Sequence, residues 1–223
     1  MRLVVFDVDG TLVDSRREIT AAMNGGLVSA GLPEMPSEAI LAIVGLSLPV
    51  AVAQLLPDVA PALQDRVVHG YRESFAQARA RGALAPLYPG ALDCLEALSA
   101  LPRVFLGIAT GKPMRGLEAL LQAHGLEGCF VTRQTADGHP SKPHPAMLET
   151  ALREAGVTAD RAVMVGDSSF DMQMARAARV AAYGVAWGFQ PRDALVRAGA
   201  DWIAPDYPAL TRALLDWAEE EPA

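Results

Sequence analysis

An α/β fold, with a doubly wound parallel sheet and a small helical insertion after its first strand, is what this 223-residue sequence predicts. Three observations carry the prediction. Short runs that are apolar throughout recur along the chain, as strands buried on both faces require. Beyond Val104, amphipathic helical stretches separate those runs, so strand and helix alternate. Between residues 16 and 85 the alternation stops and only helical periodicity remains. Residues 1–15 and 86–223 are therefore expected to form one core, and residues 16–85 a helical unit of their own.

The first strand is expected over residues 3–6, ending at Asp7. The insertion shows helical periodicity near 18–29, 38–44 and 62–79, with Pro33, Pro36, Pro49, Pro57 and Pro61 as punctuation. Ser37 followed by Glu38 reads as a helix start. The chain is expected to return to the core through Pro86, Leu87, Tyr88, Pro89 and Gly90. Later strands are expected at 104–109, 129–132, 162–165 and 180–185, with a weaker run at 202–204. Helices are expected around 116–124, 146–154, 172–178 and 193–198. Forty alanines favour helix throughout.

Composition narrows the function. With 26 acidic against 19 basic residues the net charge is −7, which argues against a nucleic-acid binder working through a broad basic face. The two cysteines, Cys94 and Cys129, are too few for a disulfide framework or a zinc site and read as small buried apolar groups. The N-terminal apolar run is too short for a signal peptide. The most membrane-like window, 39–53, is interrupted by Gly45, Ser47 and Pro49 and falls short of spanning length. A cytoplasmic protein without nucleic-acid or membrane partners is expected, as a monomer or homodimer. Of the 19 basic residues 17 are Arg, and only Lys112 and Lys142 are Lys. Two compact ammonium groups in a chain that otherwise uses guanidinium invite a specific role for each.

An open α/β sheet binds ligands beyond the carboxyl ends of its strands. That edge collects Asp7, Asp9, Gly10 and Thr11 after the first strand, and Thr110, Gly111 and Lys112 after the second. Gly166, Asp167 and Asp171 follow the fourth. One such aspartate reads as a helix cap. Four converging carboxylates instead suit a hard cation such as Mg²⁺, and Mg²⁺ at such a site suits phosphate chemistry. Lys142 supplies a point charge for phosphoryl oxygens, and Thr110 a hydroxyl and an N–H. A carboxylate can also serve as the nucleophile, dividing hydrolysis into two steps.

These residues fall in four runs that resemble the motifs of the haloacid dehalogenase superfamily. Asp7, Val8, Asp9, Gly10, Thr11, Leu12, Val13, Asp14, Ser15 is similar to the first motif, and Gly107, Ile108, Ala109, Thr110, Gly111, Lys112 to the second. Ser141, Lys142, Pro143, His144, Pro145 resembles the third, and Val165, Gly166, Asp167, Ser168, Ser169, Phe170, Asp171 the fourth. All four stand in family order across nearly the whole chain, and the helical insertion matches the small cap of the phosphoglycolate phosphatase-like branch. The resemblance implies a Rossmann-like catalytic core and a phosphatase that acts on a small phosphorylated metabolite. It implies that Asp7 is the nucleophile and Asp9 the acid and base. Mg²⁺ would be held by the Asp7 and Asp167 side chains and the Asp9 carbonyl. Thr110, Gly111 and Lys142 would bind the phosphoryl group, with Asp171 supporting the metal site or Lys142.

Other residues carry less. His69, His124, His139 and His144 lack metal-ligand spacing, and His144 reads as a helix-start residue. Lys112 is divided between a solvated helix start and a site role. Gly45, Leu46 and Ser47 could form a loop facing the site, and His69, Tyr71 and Arg72 could add polar contacts. Glu219, Glu220 and Glu221 read as a solvated end. The resemblance also admits a phosphomutase of the β-phosphoglucomutase type, but that type usually carries an acid where this chain has Gly166. A dehalogenase needs no Asp9, and a phosphonatase needs a cap lysine that residues 16–85 lack. A catalytically silent regulatory protein would be expected to have lost one of Asp7, Asp9, Lys142 or Asp167; all four are present.

Overall fold

In the computed structural model, which describes residues 1–220, six parallel strands form one sheet in the order β3-β2-β1-β4-β5-β6. β1 (Arg2–Phe6) is central, flanked by β2 (Val104–Thr110) and β4 (Ala162–Gly166). β3 (Thr132–Thr135) lies outside β2, and β5 (Ala181–Val185) and β6 (Trp202–Ala204) lie outside β4. Alternate residues of β1 enter opposite cores, which is why the whole run is apolar. Val4 and Phe6 join one hydrophobic cluster and Leu3 and Val5 the other, all fully buried. The chain first builds outward from β1 to β3, then returns to the other side of β1 to build β4 to β6. That reversal makes the carboxyl ends of β1 and β4 the switch point of the sheet, where ligand crevices form.

Helices α1 (Arg16–Ser29), α2 (Ser37–Leu41), α3 (Leu48–Leu55) and α4 (Pro61–Ala80) occupy the insertion and share a third hydrophobic cluster, built around Met23, Leu27, Ile40, Val52 and Val67. α1 packs along α4. The entry and exit strands of the insertion touch through a Val13–Leu87 bridge, with Asp14 N–H donating to the Pro86 carbonyl. On the core, α5 (Ala91–Ser99), α6 (Met114–His124) and α10 (Tyr207–Glu219) contribute to the cluster of Val4 and Phe6. α7 (Ala146–Ala155), α8 (Ser169–Ala177) and α9 (Arg192–Arg197) contribute to that of Leu3 and Val5.

Three departures from the sequence expectation have physical causes. α3 arises where Pro49 reads as punctuation, and α10 lies where no helix is expected; Pro49 and Pro208 both stand in the first helical turn, where no N–H is needed. α10 is also capped, because the Asp206 carboxylate accepts the Ala209 N–H at 2.8 Å. α5 follows directly on the return segment and was not anticipated as a helix, although Ala91, Cys94, Leu95 and Leu98 keep helical spacing and are buried. β3 covers Thr132–Thr135 rather than 129–132, so the apolar run leads into the strand instead of forming it. As an edge strand β3 tolerates polar side chains, and Glu154 Oε2 accepts from both Thr132 Oγ1 (2.5 Å) and Gln134 Nε2 (2.7 Å). Cys94 is buried, as expected, and burial pushes its thiol up to about 11; Cys129 is half-buried. No helix among the described residues is long and apolar enough to cross a membrane.

Candidate active site

Asp7 is the first residue beyond β1, and its N–H donates to the Val165 carbonyl of β4 at 2.9 Å. The carboxylate is buried and stands 3.0 Å from the Lys142 ammonium, but neither of its oxygens accepts a hydrogen bond; the Lys142 contact is an ion pair off hydrogen-bond geometry. Burial pushes Asp7 up to about 7, with Lys142 acting against the shift and Asp171 and Asp9 adding to it. A buried carboxylate that accepts no hydrogen bond and has one ammonium for a partner is costly unless a ligand completes it.

Asp167 follows β4. Its Oδ1 accepts from Thr11 Oγ1 at 3.1 Å and its Oδ2 from the Phe189 N–H at 2.8 Å. Burial, then the charges of Asp7 and Asp171, raise it well above the ordinary carboxylate range. Oxygens of Asp7, Asp167 and Asp171 lie within 4.8 Å of one another. Gly10 (φ +83°) makes this approach possible, since any side chain there would collide with the Asp167 carboxylate and strain the backbone.

Asp171 is already occupied. Its Oδ1 accepts from Lys142 Nζ at 2.6 Å, and its Oδ2 from Ser168 N–H (3.1 Å) and Oγ–H (2.6 Å) in a reciprocal cap at the start of α8. Its contact to Lys142, rather than a free ligand oxygen, is what the fold gives it. Lys142 is wholly buried between Asp171 and Asp7; burial alone disfavours its ammonium, and the two carboxylates outweigh this and raise it. Asp9 turns its side chain elsewhere, accepting from Ser15 Oγ at 2.6 Å and pairing with Lys112 at 3.0 Å. Lys112 is thus a buried partner of Asp9, with its ammonium 5.3 Å from the Phe75 ring centroid, and not a solvated helix start. Both lysines of the chain meet at this site, each against one of the first two aspartates.

Thr110 ends β2, two residues beyond Ile108, which pairs with Phe6. It is buried, and its hydroxyl accepts the Lys112 N–H at 3.2 Å. Gly111 lies beneath the insertion: a Cβ there would stand 2.5 Å from the Leu46 carbonyl oxygen and 2.6 Å from that of Gly45. The 45–47 loop does face the core, with Ser47 N–H donating to Ser141 Oγ at 2.9 Å. We expect Gly111→Ala to force this loop away, raising KM about tenfold at the cost of roughly 1–3 kcal/mol of overpacking. Steady-state kinetics and amide exchange at Ser47 check it.

His69 and Arg72 are exposed on α4, and His69 pairs with Glu73 at the surface, so they do not join the site. Tyr71 is half-buried, and burial, then the Asp9 charge, raise its phenol. His144 Nδ1 accepts the Ala146 N–H at 3.2 Å, a helix-start contact at α7 as expected. Glu219 and Glu220 are exposed, and Glu221 lies outside the described residues.

Residues 4–185 match the family described as haloacid dehalogenase-like hydrolase. A Dickeya dadantii protein named "Probable phosphatase IndB" is 37% identical over 198 residues, covering 86% of this chain and 84% of the relative. A phosphoglycolate phosphatase of Haemophilus influenzae is 30% identical over 220 residues, 96% of this chain and 98% of the relative. A solved structure from Lactobacillus delbrueckii superposes with a TM-score of 0.83 at 25% identity, covering 96% of this chain and 99% of that one. With a sheet-edge constellation of this kind and a family match across most of its length, the chain belongs to the haloacid dehalogenase-like hydrolases, in their phosphoglycolate phosphatase-like branch.

Proposed function

We propose that this protein is a Mg²⁺-dependent phosphatase that hydrolyses a small phosphomonoester through an aspartyl-phosphate on Asp7. The observation that carries the proposal is the buried Asp7 carboxylate, free of hydrogen bonds and flanked by Lys142, at the switch point of the sheet. An Asp7 oxygen attacks phosphorus as the bond to the leaving oxygen breaks, and Asp9 gives that oxygen its proton. Asp9 then takes a proton from water, whose oxygen attacks phosphorus, releasing phosphate and restoring Asp7. Thr110, Gly111 and Lys142 hold the phosphoryl oxygens, and Asp171 with Ser168 fixes Lys142 for that task. Residues 16–85 act as a cap that excludes bulk water.

The donor set fits a hard divalent cation: the clustered carboxylates of Asp7 and Asp167 would hold it, joined, as the family resemblance implies, by the Asp9 carbonyl. When bound, Mg²⁺ neutralises phosphoryl charge. Phosphate release from a panel of phosphomonoesters is expected to need Mg²⁺ and to fall at least about 100-fold in EDTA; an undiminished rate in chelator overturns the proposal. The phosphoglycolate phosphatase relatives make phosphoglycolate the first substrate to try. No observation favours phosphomutase chemistry. At Gly166, where that type usually carries an acid, a Cβ would stand 2.5 Å from Asp171 Cγ.

Proton and metal compete for Asp7. Its folded value of about 7 exceeds the ordinary 3.8, so the metal-free protein holds this proton more tightly than its unfolded chain does. That contribution to stability is complete below about 3.8 and is lost as pH rises through 7. The cation needs the Asp7 and Asp167 carboxylates, both raised by burial, so its apparent affinity should climb at least about tenfold per pH unit below 7. Thermal melts with and without Mg²⁺ at pH 6 and pH 8 measure this; stabilisation should be larger at pH 8.

A further inference from the structure

Asp9 and Lys112, but not Asp7, line a cavity of about 300 Å³ between α1, α4, α6 and residues 82–85 at the end of the insertion. Its volume is at the lower end of small-molecule sites. The walls are chiefly apolar, including Phe75, Leu84, Ala119 and Leu120. Asp9 and Lys112 face each other at 3.0 Å, and the other two charged groups of the lining are Glu18 and Arg79.

Glu18 is unusual. Its side chain is only 9% exposed, and its Oε2 is buried with no hydrogen-bond partner, while Oε1 lies 3.5 Å from the solvent-exposed Arg17. It stands in the first turn of α1, where the helix end favours negative charge. Ser15, at the cap position of α1, gives its hydroxyl to Asp9 and makes no side-chain cap bond. Arg79 sits in the last turn of α4 and is exposed, so its field is more screened than that of Glu18.

Resting on the phosphatase assignment above, we propose that this cavity receives the alcohol portion of the phosphomonoester. Glu18 there selects an apolar-bodied group that bears a hydrogen-bond donor, and disfavours one that bears a carboxylate. The position beside Asp9 is where the leaving oxygen must collect its proton. Glu18 lines the cavity as a nearly buried carboxylate whose one ion-pair partner, Arg17, lies at the solvent side, so a donor placed beside it gains a charged acceptor and a carboxylate placed there adds a like charge. Phosphoglycolate, with its carboxylate, would then be a poor substrate of this chain.

A matched aryl series separates charge from size: phenyl phosphate, 4-(aminomethyl)phenyl phosphate and 4-carboxyphenyl phosphate, with phosphoglycolate alongside. The expected result for the wild-type protein with Mg²⁺ is kcat/KM at least about tenfold higher for the aminomethyl than for the carboxyl ester, carried mainly by KM. In Glu18→Gln that ratio should shrink to within about threefold, and Arg79→Ala should leave it standing. A preference for the carboxyl ester or phosphoglycolate, a ratio unmoved in Glu18→Gln, or one set by Arg79 overturns the proposal. Calorimetric Kd values for the same four esters are read in parallel. Absence of all turnover refutes the phosphatase assignment, while the order of Kd values still decides the role of Glu18.

Discussion

Asp7→Asn should lower phosphate release by about four orders of magnitude or more while the protein still folds. An amide cannot form the acyl phosphate, and loss of a nucleophile removes a route that no neighbour replaces. Asp9 is held by Ser15 and Lys112 and Asp167 by Thr11 and Phe189, so neither is free to substitute. Asparagine keeps the shape of the side chain, and circular dichroism and the melting temperature should stay near wild type. The metal-free variant should also lose the decline in stability that Asp7 imposes between about pH 4 and 7, because the titrating group is gone. Asp167, raised in the same direction, keeps its own part of that decline, so the variant's pH dependence should weaken rather than vanish; retained turnover would place the nucleophile elsewhere.

Lys142→Met should have the largest effect on stability. Methionine roughly conserves volume, but it strips the counter-charge from Asp7 and Asp171, both buried and with Asp167 close by. Removing one partner of a buried ion pair costs roughly 3–5 kcal/mol, a large part of a domain's total. Urea denaturation should show that loss, and show it larger at pH 8 than at pH 5, since acid can neutralise the stranded carboxylates. Lys142→Arg is no remedy: the wholly buried site holds a single ammonium against two carboxylates, and a larger planar guanidinium does not reproduce that point charge. If Lys142→Met fails to fold, Lys142→Met with Asp171→Asn should recover folding but not activity. Restored activity would mean that Lys142 serves only to balance Asp171.

Much of the site was legible because strand ends are written plainly in sequence. A strand buried on both faces must be apolar, so Asp7 and Asp167 are conspicuous where β1 and β4 stop. The scarcity of lysine likewise marks both residues that pair with the first two aspartates. What periodicity could not supply was partnership. Lys112 looked as much like a solvated helix start as a site residue, because its contact with Asp9 joins elements 100 residues apart. The apolar run before β3 misplaced that strand, since an edge strand with Glu154 as a polar partner need not be apolar. Pro49 hid α3 for a related reason: the meaning of a proline depends on whether it stands inside a helix or in the first turn.

Local chemistry alone therefore determined the fold class, the sheet edge that bears the acids and the identity of the charged groups, because these follow from burial periodicity and residue type. Only tertiary packing decided which carboxylate stays open and which is spent on a neighbour. Ser168 and Lys142 saturate Asp171, Ser15 and Lys112 engage Asp9, and Asp7 keeps only its ion pair with Lys142, neither oxygen accepting a hydrogen bond. The same is true of Glu18, an ordinary first-turn acid in sequence, which the closure of α1, α4 and α6 buries beside an apolar cavity. Hydrogen-bond saturation and desolvation depend on what distant segments bring within about 3 Å, and no linear pattern encodes that distance.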